Sequence, residues 1–287
     1  MALMDCHTHT QFSVDSEADI NACVERAAQL GLAAYAITDH CECDAWYPKE
    51  HYTPEEQGFL DAANYRADFE ASVSAVTALK EKYDGRINLI CGSELGQVLF
   101  DREAAQIVCS DKRVDFIIGS VHRIRGEKDF YFIDYTERTP DGIYDLLERY
   151  FNEVYELSRT GMFDVIGHIT YSLRYMKQRH GICPDISRFD DIIAETFRTL
   201  AQSGKGIEIN TSGLRQGFGA TFPDLKYVKM YRDLGGEIIT IGSDSHTVED
   251  ISAGTADGIE IARAAGFSRL TFFKERKPVF IPIDKLI

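Results

Sequence analysis

Residues 3–9, Leu-Met-Asp-Cys-His-Thr-His, join a short apolar run to two histidines that lie two positions apart. Side chains in a β-strand alternate between its two faces, so His7 and His9 point to the same side of the sheet. Six further β-prone runs follow, at 35–40, 88–95, 116–122, 165–169, 206–210 and 237–244. Amphipathic, helix-like stretches separate the runs, and this alternation is typical of a parallel α/β fold. Seven such units predict a closed or nearly closed barrel.

Local signals indicate where the helices between these strands begin and end. Ser16 and Asp19 have the spacing of a capping box before a helix predicted over 18–30. Gly31 follows this helix, where a left-handed C-cap favours glycine. Thr139 and Pro140 begin a helix that is predicted to reach residue 159. Proline is favourable at the first helical position because the N–H that it lacks would have no hydrogen-bond partner within the helix. Since no linker or repeat interrupts the pattern, residues 1–287 are predicted to form a single domain.

Two kinds of segment lie outside the strand–helix pattern. Residues 268–287 contain two β-prone runs around the charged residues 274–277, and we expect a β-like closing segment at the edge or base of the barrel. Three segments that follow strand ends, 41–60, 123–139 and 170–187, exceed the roughly 12–15 residues usual for structureless connections. Long loops on one rim of a barrel commonly carry function. The catalytic or binding site is therefore expected on this rim.

The composition disfavours several classes of protein. With 44% hydrophobic and 27% charged residues, the chain is typical of a globular protein. It has no apolar run near the roughly 18 residues of a membrane span, and its start does not resemble a secretory signal. Seven cysteines, an odd number, do not suggest a disulfide framework, so we expect a reducing, cytoplasmic location. A net charge of -15 disfavours nucleic acid, and an anionic substrate would need local positive charge such as bound metal ions.

The histidines carry the strongest functional signal. Six of the eight lie at the C-terminal ends of different candidate strands, the rim where parallel barrels have their active sites. These six are His7, His9, His40, His122, His168 and His246. Together with Glu94 and Asp244 they would bury a costly cluster of polar groups unless a ligand bound them, and imidazole and carboxylate suit divalent metals. The pattern therefore predicts a metal centre.

Counting the ligands indicates how many ions are bound. With Asp15 included, the candidate ligands are His7, His9, Asp15, His40, Glu94, His122, His168, Asp244 and His246. Zinc-like sites with an open position use about three protein ligands each, so nine ligands indicate three ions. Asp15 has a simpler interpretation as a helix cap, which is left open. Cys41 and Cys43 are weaker candidates, because no second cysteine pair completes a structural zinc site.

Beyond single residues, whole motifs resemble those of a known family. HTH at 7–9, TDH at 38–40, GSELG at 92–96, GSVH at 119–122, GH at 167–168 and GSDSH at 242–246 are similar to the motif set of the polymerase and histidinol phosphatase (PHP) family. Segments 5–16, 207–215 and 273–278 further resemble the histidinol-phosphate phosphatases of that family. The resemblance spans nearly the whole chain. It implies an α/β fold, a distorted (β/α)7 TIM-like barrel, that holds a trinuclear metal centre.

The resemblance also implies how three ions share the ligands. In the family pattern the first ion is held by His7, His9, Glu94 and Asp244, the second by Glu94, His122 and His168, and the third by Asp15, His40 and His246. The wider family often has histidine at the position of Asp15. Because an aspartate is a harder ligand, it favours Mn²⁺ or Fe as well as Zn²⁺.

The activity implied by the resemblance is metal-assisted hydrolysis of a small phosphomonoester, L-histidinol phosphate, in histidine biosynthesis. Glu94 is a candidate catalytic residue as the bridging carboxylate. Asp244 and His246 are also candidates, since the leaving alkoxide needs a proton or a Lewis acid nearby. The general acid itself stays unassigned. The partner implied is a small molecule, and the oligomeric state is left open.

Three arginines on the rim are candidate substrate-binding residues. Arg174 follows His168 by six positions, Arg215 lies beyond strand 206–210, and Arg123 directly follows a candidate ligand. A guanidinium group matches phosphate bidentately. Each arginine has a simpler interpretation as the partner of one of the many carboxylates. For the imidazole and ammonium groups of histidinol phosphate, Trp46, Tyr47 and Tyr52 are candidates for an aromatic wall, with ordinary loop packing as the alternative.

Several other functions are compatible with the same residues. An amidohydrolase-like metal hydrolase also begins with an H-x-H strand, but that class usually has eight strands and often a carboxylated lysine, and no lysine ends a candidate strand here. A PHP-type phosphatase acting on another small phosphomonoester or a nucleotide is a second alternative. A non-catalytic sensor of metal or phosphate is a third, because a fold does not determine a function.

Overall fold

The computed structural model of the protein describes residues 2–48, 50 and 64–286. Its strands are Met4–Asp5 (β1), Ala34–Ile37 (β2), His40–Glu42 (β3), Leu89–Gly96 (β4), Phe116–Ser120 (β5), Val165–Ile166 (β6), Gly206–Asn210 (β7), Ile239–Gly242 (β8), Arg269–Lys274 (β9) and Lys277–Pro282 (β10). In this part of the chain, seven strands form a parallel sheet in the order β1-β2-β4-β5-β6-β7-β8, and β3 pairs with β4. The predicted α/β barrel of seven parallel strands is confirmed.

The barrel closes between its first and last parallel strands through backbone hydrogen bonds beyond the strand ends. The amide of Cys6 donates to the carbonyl of Ile241, and the amide of Asp244 donates to the carbonyl of His7, each at 2.8 Å. The ends of β1 and β8 therefore lie side by side on one rim. The first and last ligand motifs of the sequence meet there.

The regular strands are shorter than predicted at this rim. β1 ends before His7 and His9, and β2 ends before His40, which instead begins the separate strand β3. The amides of Thr8 and Thr10 donate to side chains rather than to a neighbouring strand. The predicted strands 3–9 and 35–40 are therefore too long as regular strands, because only some rim residues keep ladder bonds: Thr8 forms an isolated bridge with Ser245, and the amide of Thr38 donates to the carbonyl of Thr8.

The helices alternate with the parallel strands. In the described residues they span Ile20–Gln29 (α1), Tyr65–Lys82 (α2), Arg102–Ser110 (α3), Pro140–Ser158 (α4), Leu173–His180 (α5), Asp190–Gln202 (α6), Ser212–Arg215 (α7), Leu225–Asp233 (α8) and Thr255–Ala264 (α9). The capping-box prediction for α1 is wrong, because Asp19 itself caps the helix by accepting from the amide of Ala22 at 2.9 Å. Ser16 instead donates to the carbonyl of His246. Gly31 has a φ of 65°, in the left-handed conformation predicted for it.

The C-terminal strands β9 and β10 form an antiparallel hairpin at the base of the barrel. Glu275 and Arg276, in its turn, have positive φ values of 48° and 61°. The amide of Glu275 donates to the carboxylate of Asp115, and Arg276 makes two hydrogen bonds to Asp164, at 2.6 and 3.1 Å. Because Asp115 and Asp164 precede β5 and β6, the hairpin lies at the end of the barrel opposite to the histidine rim.

All three long rim segments contain short helical turns in their described residues, and segment 41–60 has a 3-10 turn at Cys43–Ala45. Segment 123–139 contains 3-10 turns at Phe130–Phe132 and Tyr135–Glu137, and segment 170–187 contains α5. Much of segment 41–60 lies outside the described residues. The buried apolar residues of the strands and helices form one continuous core. Among the helices that can be described, none is long and apolar enough to cross a membrane.

Candidate metal centre

All nine residues predicted as metal ligands lie together on the histidine rim of the barrel. His7, His9 and Asp15 follow β1, His40 begins β3, Glu94 lies in β4, His122 follows β5, His168 follows β6, and Asp244 and His246 follow β8. Parallel strands bring their carboxyl ends to one rim, which is why residues distant in the sequence become neighbours. We call these nine residues the cleft floor.

The carboxylate of Glu94 lies in the middle of the cleft floor. Its Oε1 is 2.7 Å from His168 Nε2 and 3.1 Å from His122 Nε2. Its Oε2 is 2.9 Å from His40 Nδ1 and 3.3 Å from His7 Nε2. Burial would raise the pKa of Glu94, but the surrounding imidazoles outweigh burial and hold the pKa well below its usual range. Glu94 is thus a buried carboxylate with imidazole nitrogens close to both of its oxygens. Such an arrangement suits a carboxylate that binds two cations.

A second part of the floor is built around His9. Its Nε2 is 3.1 Å from His7 Nε2 and 3.4 Å from Asp244 Oδ1. The ring of His9 also stacks on that of His246, with 4.2 Å between the ring centroids. Burial, together with the neighbouring imidazoles, lowers the pKa of His9 well below its ordinary value. The ring is therefore neutral and keeps a lone pair available for a cation.

Asp15 lies beside two imidazoles and does not cap α1. Its Oδ2 is 3.1 Å from His246 Nε2, and its Oδ1 is 3.5 Å from His40 Nε2. Burial would raise its pKa, but His40 and His246 outweigh burial and lower it. Asp19 occupies the capping position instead. The carboxylate of Asp15 is thus placed where the sequence motif predicts a ligand.

The donor set of the floor fits divalent cations. Four triples each bring one ligand atom per residue within 4.8 Å of the others: His9, His40 and His246; His7, Glu94 and His168; His7, His9 and Asp244; and His40, Glu94 and His122. The buried Nδ1 of His40 has no hydrogen-bond partner among the described residues, although Glu94 Oε2 lies 2.9 Å away. Shared cations would satisfy these nitrogens, and mixed imidazole and carboxylate donors suit zinc, manganese and iron.

Glu208 contacts the floor and was not predicted as a site residue from the sequence. Its Oε1 is 2.7 Å from His7 Nδ1, and its Oε2 accepts from the amide of His168 at 2.9 Å and from Asn210 Nδ2 at 3.3 Å. By accepting a hydrogen bond from the N–H at His7 Nδ1, this carboxylate favours the tautomer in which Nε2, on the floor side, carries the lone pair for a cation. The period-two pattern of Glu208 and Asn210 in β7 was the available signal, since it places both side chains on one face.

Two further contacts orient imidazoles in the same way. Ser13 Oγ donates to Asp39 at 2.8 Å, so its contact of 3.0 Å with His9 Nδ1 requires the proton on that nitrogen. Glu42 Oε1 lies 2.8 Å from His122 Nδ1. In both histidines Nε2 is then the nitrogen that is free to bind a cation. The sequence carried no signal for these pairings, because serine and glutamate are common in loops.

Arg174 joins the floor to the mouth of the cleft. It is only 5% exposed, and its Nη2 donates to Asp244 Oδ2 at 2.8 Å and to Ser212 Oγ. Burial would raise the pKa of Asp244, but Arg174 and His7 hold it well below its usual range. The buried Nε of Arg174 has no partner among the described residues. A guanidinium group so placed retains a donor for an anionic ligand.

Arg215 contacts the backbone of the same loop. Its Nη1 and Nη2 donate to the carbonyls of Ser243 and Asp244 at 2.5 and 2.7 Å, and its Nε donates to Asp250. Asp244 has a φ of 54°, a conformation that costs free energy in a residue other than glycine. Arg215 thus stabilises this turn. It is not among the residues that line the cleft, and its role as a phosphate ligand stays a prediction.

Arg123 lines the cleft and forms a buried ion pair with Asp44. Its guanidinium group also lies 4.7 Å from the ring centroid of Phe100. Burial raises the pKa of Asp44 to about 6, although Arg123 acts in the opposite direction. Of the three predicted arginines, Arg174 and Arg123 therefore reach the cleft, and Arg123 does so with a carboxylate partner.

The floor opens into a cleft of about 720 Å³. Two of the three aromatic residues predicted for its wall do not line it, since Trp46 is buried against Phe69 and Tyr47 is not among the lining residues. Tyr52 lies outside the described residues, and its role stays a prediction. The cleft is instead bounded by five residues of segments 123–139 and 170–187, which are Asp129, Tyr131, Phe132, Tyr171 and Tyr175. We call these five residues, together with Asp44 and Arg123, the cleft wall.

Comparison with known proteins agrees with this architecture. The chain matches the PHP domain model over residues 5–212, which is more than half of its length. The protein therefore belongs to the PHP domain family. The resemblance inferred from the sequence motifs is confirmed.

Individual relatives cover nearly the whole chain. A histidinol-phosphatase of Lactococcus lactis subsp. lactis is 28% identical over 96% of this chain and 96% of its own length. A histidinol-phosphatase of Saccharomyces cerevisiae is 23% identical over 85% of this chain and 83% of its own length. The crystal structure of histidinol phosphate phosphatase from Lactococcus lactis subsp. lactis, complexed with zinc, L-histidinol and phosphate, has a TM-score of 0.76. It is 24% identical and covers 96% of this chain and 98% of its own, so it confirms the fold.

Proposed function

We propose that this protein is a histidinol-phosphatase that hydrolyses L-histidinol phosphate to L-histidinol and phosphate. The observation that carries the proposal is the convergence of five predicted imidazole ligands on the carboxylate of Glu94, with the buried guanidinium group of Arg174 in the same cleft. The relatives named histidinol-phosphatase, matched over almost the full chain, support the choice of substrate. The small-molecule partner is the phosphomonoester itself.

The floor would hold three divalent cations in the arrangement of the family pattern. His7, His9, Glu94 and Asp244 would hold the first, Glu94, His122 and His168 the second, and Asp15, His40 and His246 the third. Zinc is the ion named in the structure of the relative, and the donor set suits manganese and iron as well. When bound, divalent cations stabilise charge on phosphoryl oxygens and lower the pKa of water.

The residues of the chain hold and orient the substrate around this centre. Arg174 binds the phosphate group, because its guanidinium group is held by Asp244 and Ser212 and still has a buried N–H without a partner in the described structure. Arg123 provides a second positive charge on the cleft wall. Arg215 maintains the turn that carries Asp244.

Glu94, Asp244 and His246 are the proposed catalytic residues. Glu94 is the central carboxylate, and Asp244 lies between His9 and Arg174. His246 is the most exposed imidazole of the floor, with a quarter of its side chain accessible. Proton delivery to the leaving alkoxide is therefore assigned to the side of the cleft that contains Asp244 and His246.

Phosphate release by protein freed of metal and then reloaded with Zn²⁺ or Mn²⁺ tests the proposal. L-histidinol phosphate is compared with a nucleotide, a sugar phosphate and an amide substrate. We expect turnover that depends on metal and is much faster with L-histidinol phosphate. Turnover of another phosphate alone would contradict the substrate, and release of phosphate from no ester would favour an amide hydrolase or a sensor. The metal-free protein is the control.

The remaining expectations stay predictions. A cytoplasmic location and the absence of nucleic-acid and membrane partners follow from composition and charge. The number of three ions can be measured directly by elemental analysis of protein expressed with each metal.

The described cysteines are all free thiols, in agreement with the absence of a disulfide framework.

A further inference from the structure

Among the residues that the structure describes, the cleft wall contains one carboxylate without a cationic partner within ion-pair distance. Outside the floor, the described residues that line the cleft include three carboxylates: Glu42, Asp44 and Asp129. Glu42 accepts from His122, and Asp44 pairs with Arg123. Asp129 is partly buried and forms no ion pair with a described residue. A poorly solvated anion is costly unless a cation accompanies it, so Asp129 is suited to a ligand that brings positive charge.

Asp129 lies in a corner formed by three tyrosines. Its Oδ1 accepts from the amide of Tyr131 at 2.7 Å and from the hydroxyl of Tyr171 at 3.4 Å. The ring of Tyr175 is 5.2 Å from that of Tyr131 and 5.6 Å from that of Tyr171. No described residue donates to the Oδ2 of Asp129. Lys128 also lines the cleft, but it is exposed and is not paired with Asp129.

Tyr171 connects this corner to the phosphate end of the cleft. Its hydroxyl contacts Asp129, and its ring lies 5.2 Å from the guanidinium carbon of Arg174. Tyr171 therefore has an anion at its hydroxyl group and a cation over its ring. A ligand with a phosphate group and an ammonium group on neighbouring carbons is complementary to this arrangement.

We propose that the Oδ2 of Asp129 binds the primary ammonium group of the substrate, and that the imidazole ring of the substrate packs against Tyr131, Tyr171 and Tyr175. This inference rests on the proposed function and assigns the residues that distinguish an amino-alcohol phosphate from a neutral one. An ammonium group carries three donors, and its bond to a carboxylate is charge-assisted. Tyrosine rings present flat apolar surface to an imidazole.

The test compares two substrates that differ by the amino group alone, L-histidinol phosphate and 3-(imidazol-4-yl)propyl phosphate. Asp129→Asn removes the charge and keeps an acceptor for the amide of Tyr131, and Asp129→Ser is a second neutral variant that can still cap the turn. Asp129→Glu restores the charge. The matched control is Asp134→Asn, since Asp134 caps the next turn of the same segment and does not line the cleft.

For both neutral variants we expect kcat/KM for L-histidinol phosphate to fall about 10- to 100-fold, mainly through KM, as for one charge-assisted hydrogen bond. Turnover of the analogue without the amino group stays within about twofold of wild type, Asp129→Glu recovers part of the loss, and the control is unchanged. An equal loss on both substrates, or no loss on L-histidinol phosphate, would overturn the subsite while leaving the proposed function intact. Wild-type protein that hydrolyses neither substrate would overturn the proposed function and the subsite together.

Discussion

The floor and the wall of the cleft treat carboxylates in opposite ways. On the floor, imidazoles and Arg174 outweigh burial, so the pKa values of Glu94 and Asp244 lie well below the usual range. On the wall, burial dominates, and it raises the pKa of Asp44 to about 6 and also that of Asp129. The floor is thus a set of carboxylates surrounded by imidazole nitrogens, which suits the binding of cations. The wall is a poorly solvated surface whose charges need partners.

The two regions also differ in how the chain builds them. Floor residues lie at the ends of parallel strands, whose positions are determined by the barrel. Wall residues come from the rim segments 123–139 and 170–187, where 3-10 turns and a short helix place Tyr131 and Tyr175. Mutations in the floor should therefore affect metal binding and chemistry together. Mutations in the wall should affect the substrate with the metals in place.

The largest effect is expected for Glu94→Gln, which replaces the central carboxylate by an amide of the same shape. Loss of one partner from a buried charged network costs about 3–5 kcal/mol, so kcat/KM should fall by about 10³-fold, and the metal content should fall with it. Steady-state kinetics and elemental analysis measure both. Glu260→Gln, at an exposed helix position, is the matched control. Retention of activity with a full metal complement would mean that Glu94 is needed neither for metal binding nor for catalysis.

Arg174→Ala is expected to have the next largest effect. Because one charge-assisted hydrogen bond contributes about 1.5–3 kcal/mol, kcat/KM should fall about 100-fold, and Arg174→Lys should recover only part since lysine lacks the planar fork. Metal content should be unchanged in both variants. If metal is lost together with activity, Arg174 acts through Asp244 and contributes to metal binding rather than to phosphate binding.

Glu208→Gln tests whether residues behind the floor contribute to it. Loss of such a partner typically reduces metal affinity or activity about 10- to 100-fold, because the ligand imidazole is no longer held in one tautomer. Competition with a chromophoric chelator measures the affinity, and the ¹⁵N shifts of His7 report its tautomer. Glu237→Gln, at an exposed position before β8, is the control. Unchanged affinity and an unchanged tautomer would assign Glu208 a purely structural role.

The smallest effect concerns the pH dependence of stability on the wall. In the folded protein the pKa of Asp44 is about 6, above the value of roughly 3.9 for an unfolded aspartate. Between these two values the folded state therefore binds more protons than the unfolded state. The contribution of this group to stability is lost as the pH rises from about 4 to 6. Asp44→Asn lacks this titration. Relative to wild type, it should gain about 1 kcal/mol in the free energy of unfolding between pH 5 and 7.

Denaturation of the metal-free proteins with urea at both pH values measures this difference. Metal-free protein is used because ion binding to the floor carboxylates has its own pH dependence. A difference of the opposite sign would mean that the pairing of Asp44 with Arg123 outweighs burial. The wall carboxylate would then behave like those of the floor.

Much of the floor could be predicted from the sequence, because histidines at strand ends and two-residue spacings are local patterns. His7 and His9 illustrate this, since the period of a strand places both on one side whatever follows. The contacts of Glu208 and Ser13 could not be predicted, because each depends on a partner from a different strand or loop. The assignment of Asp19 rather than Ser16 as the cap of α1 also depended on the loop that carries His246.

The parallel barrel of seven strands and the candidate ligands on its rim could be inferred from the amino-acid sequence, since periodicity and residue type are properties of neighbouring positions. The folded barrel was needed to see which nitrogen of His7, His9 and His122 is free to bind a cation and which aromatic residues line the cleft. It replaced the expected Trp46 by Tyr171 and Tyr175. The physical reason is that pairing, burial and pKa depend on distances between separate elements, and these distances exist only once the barrel has closed.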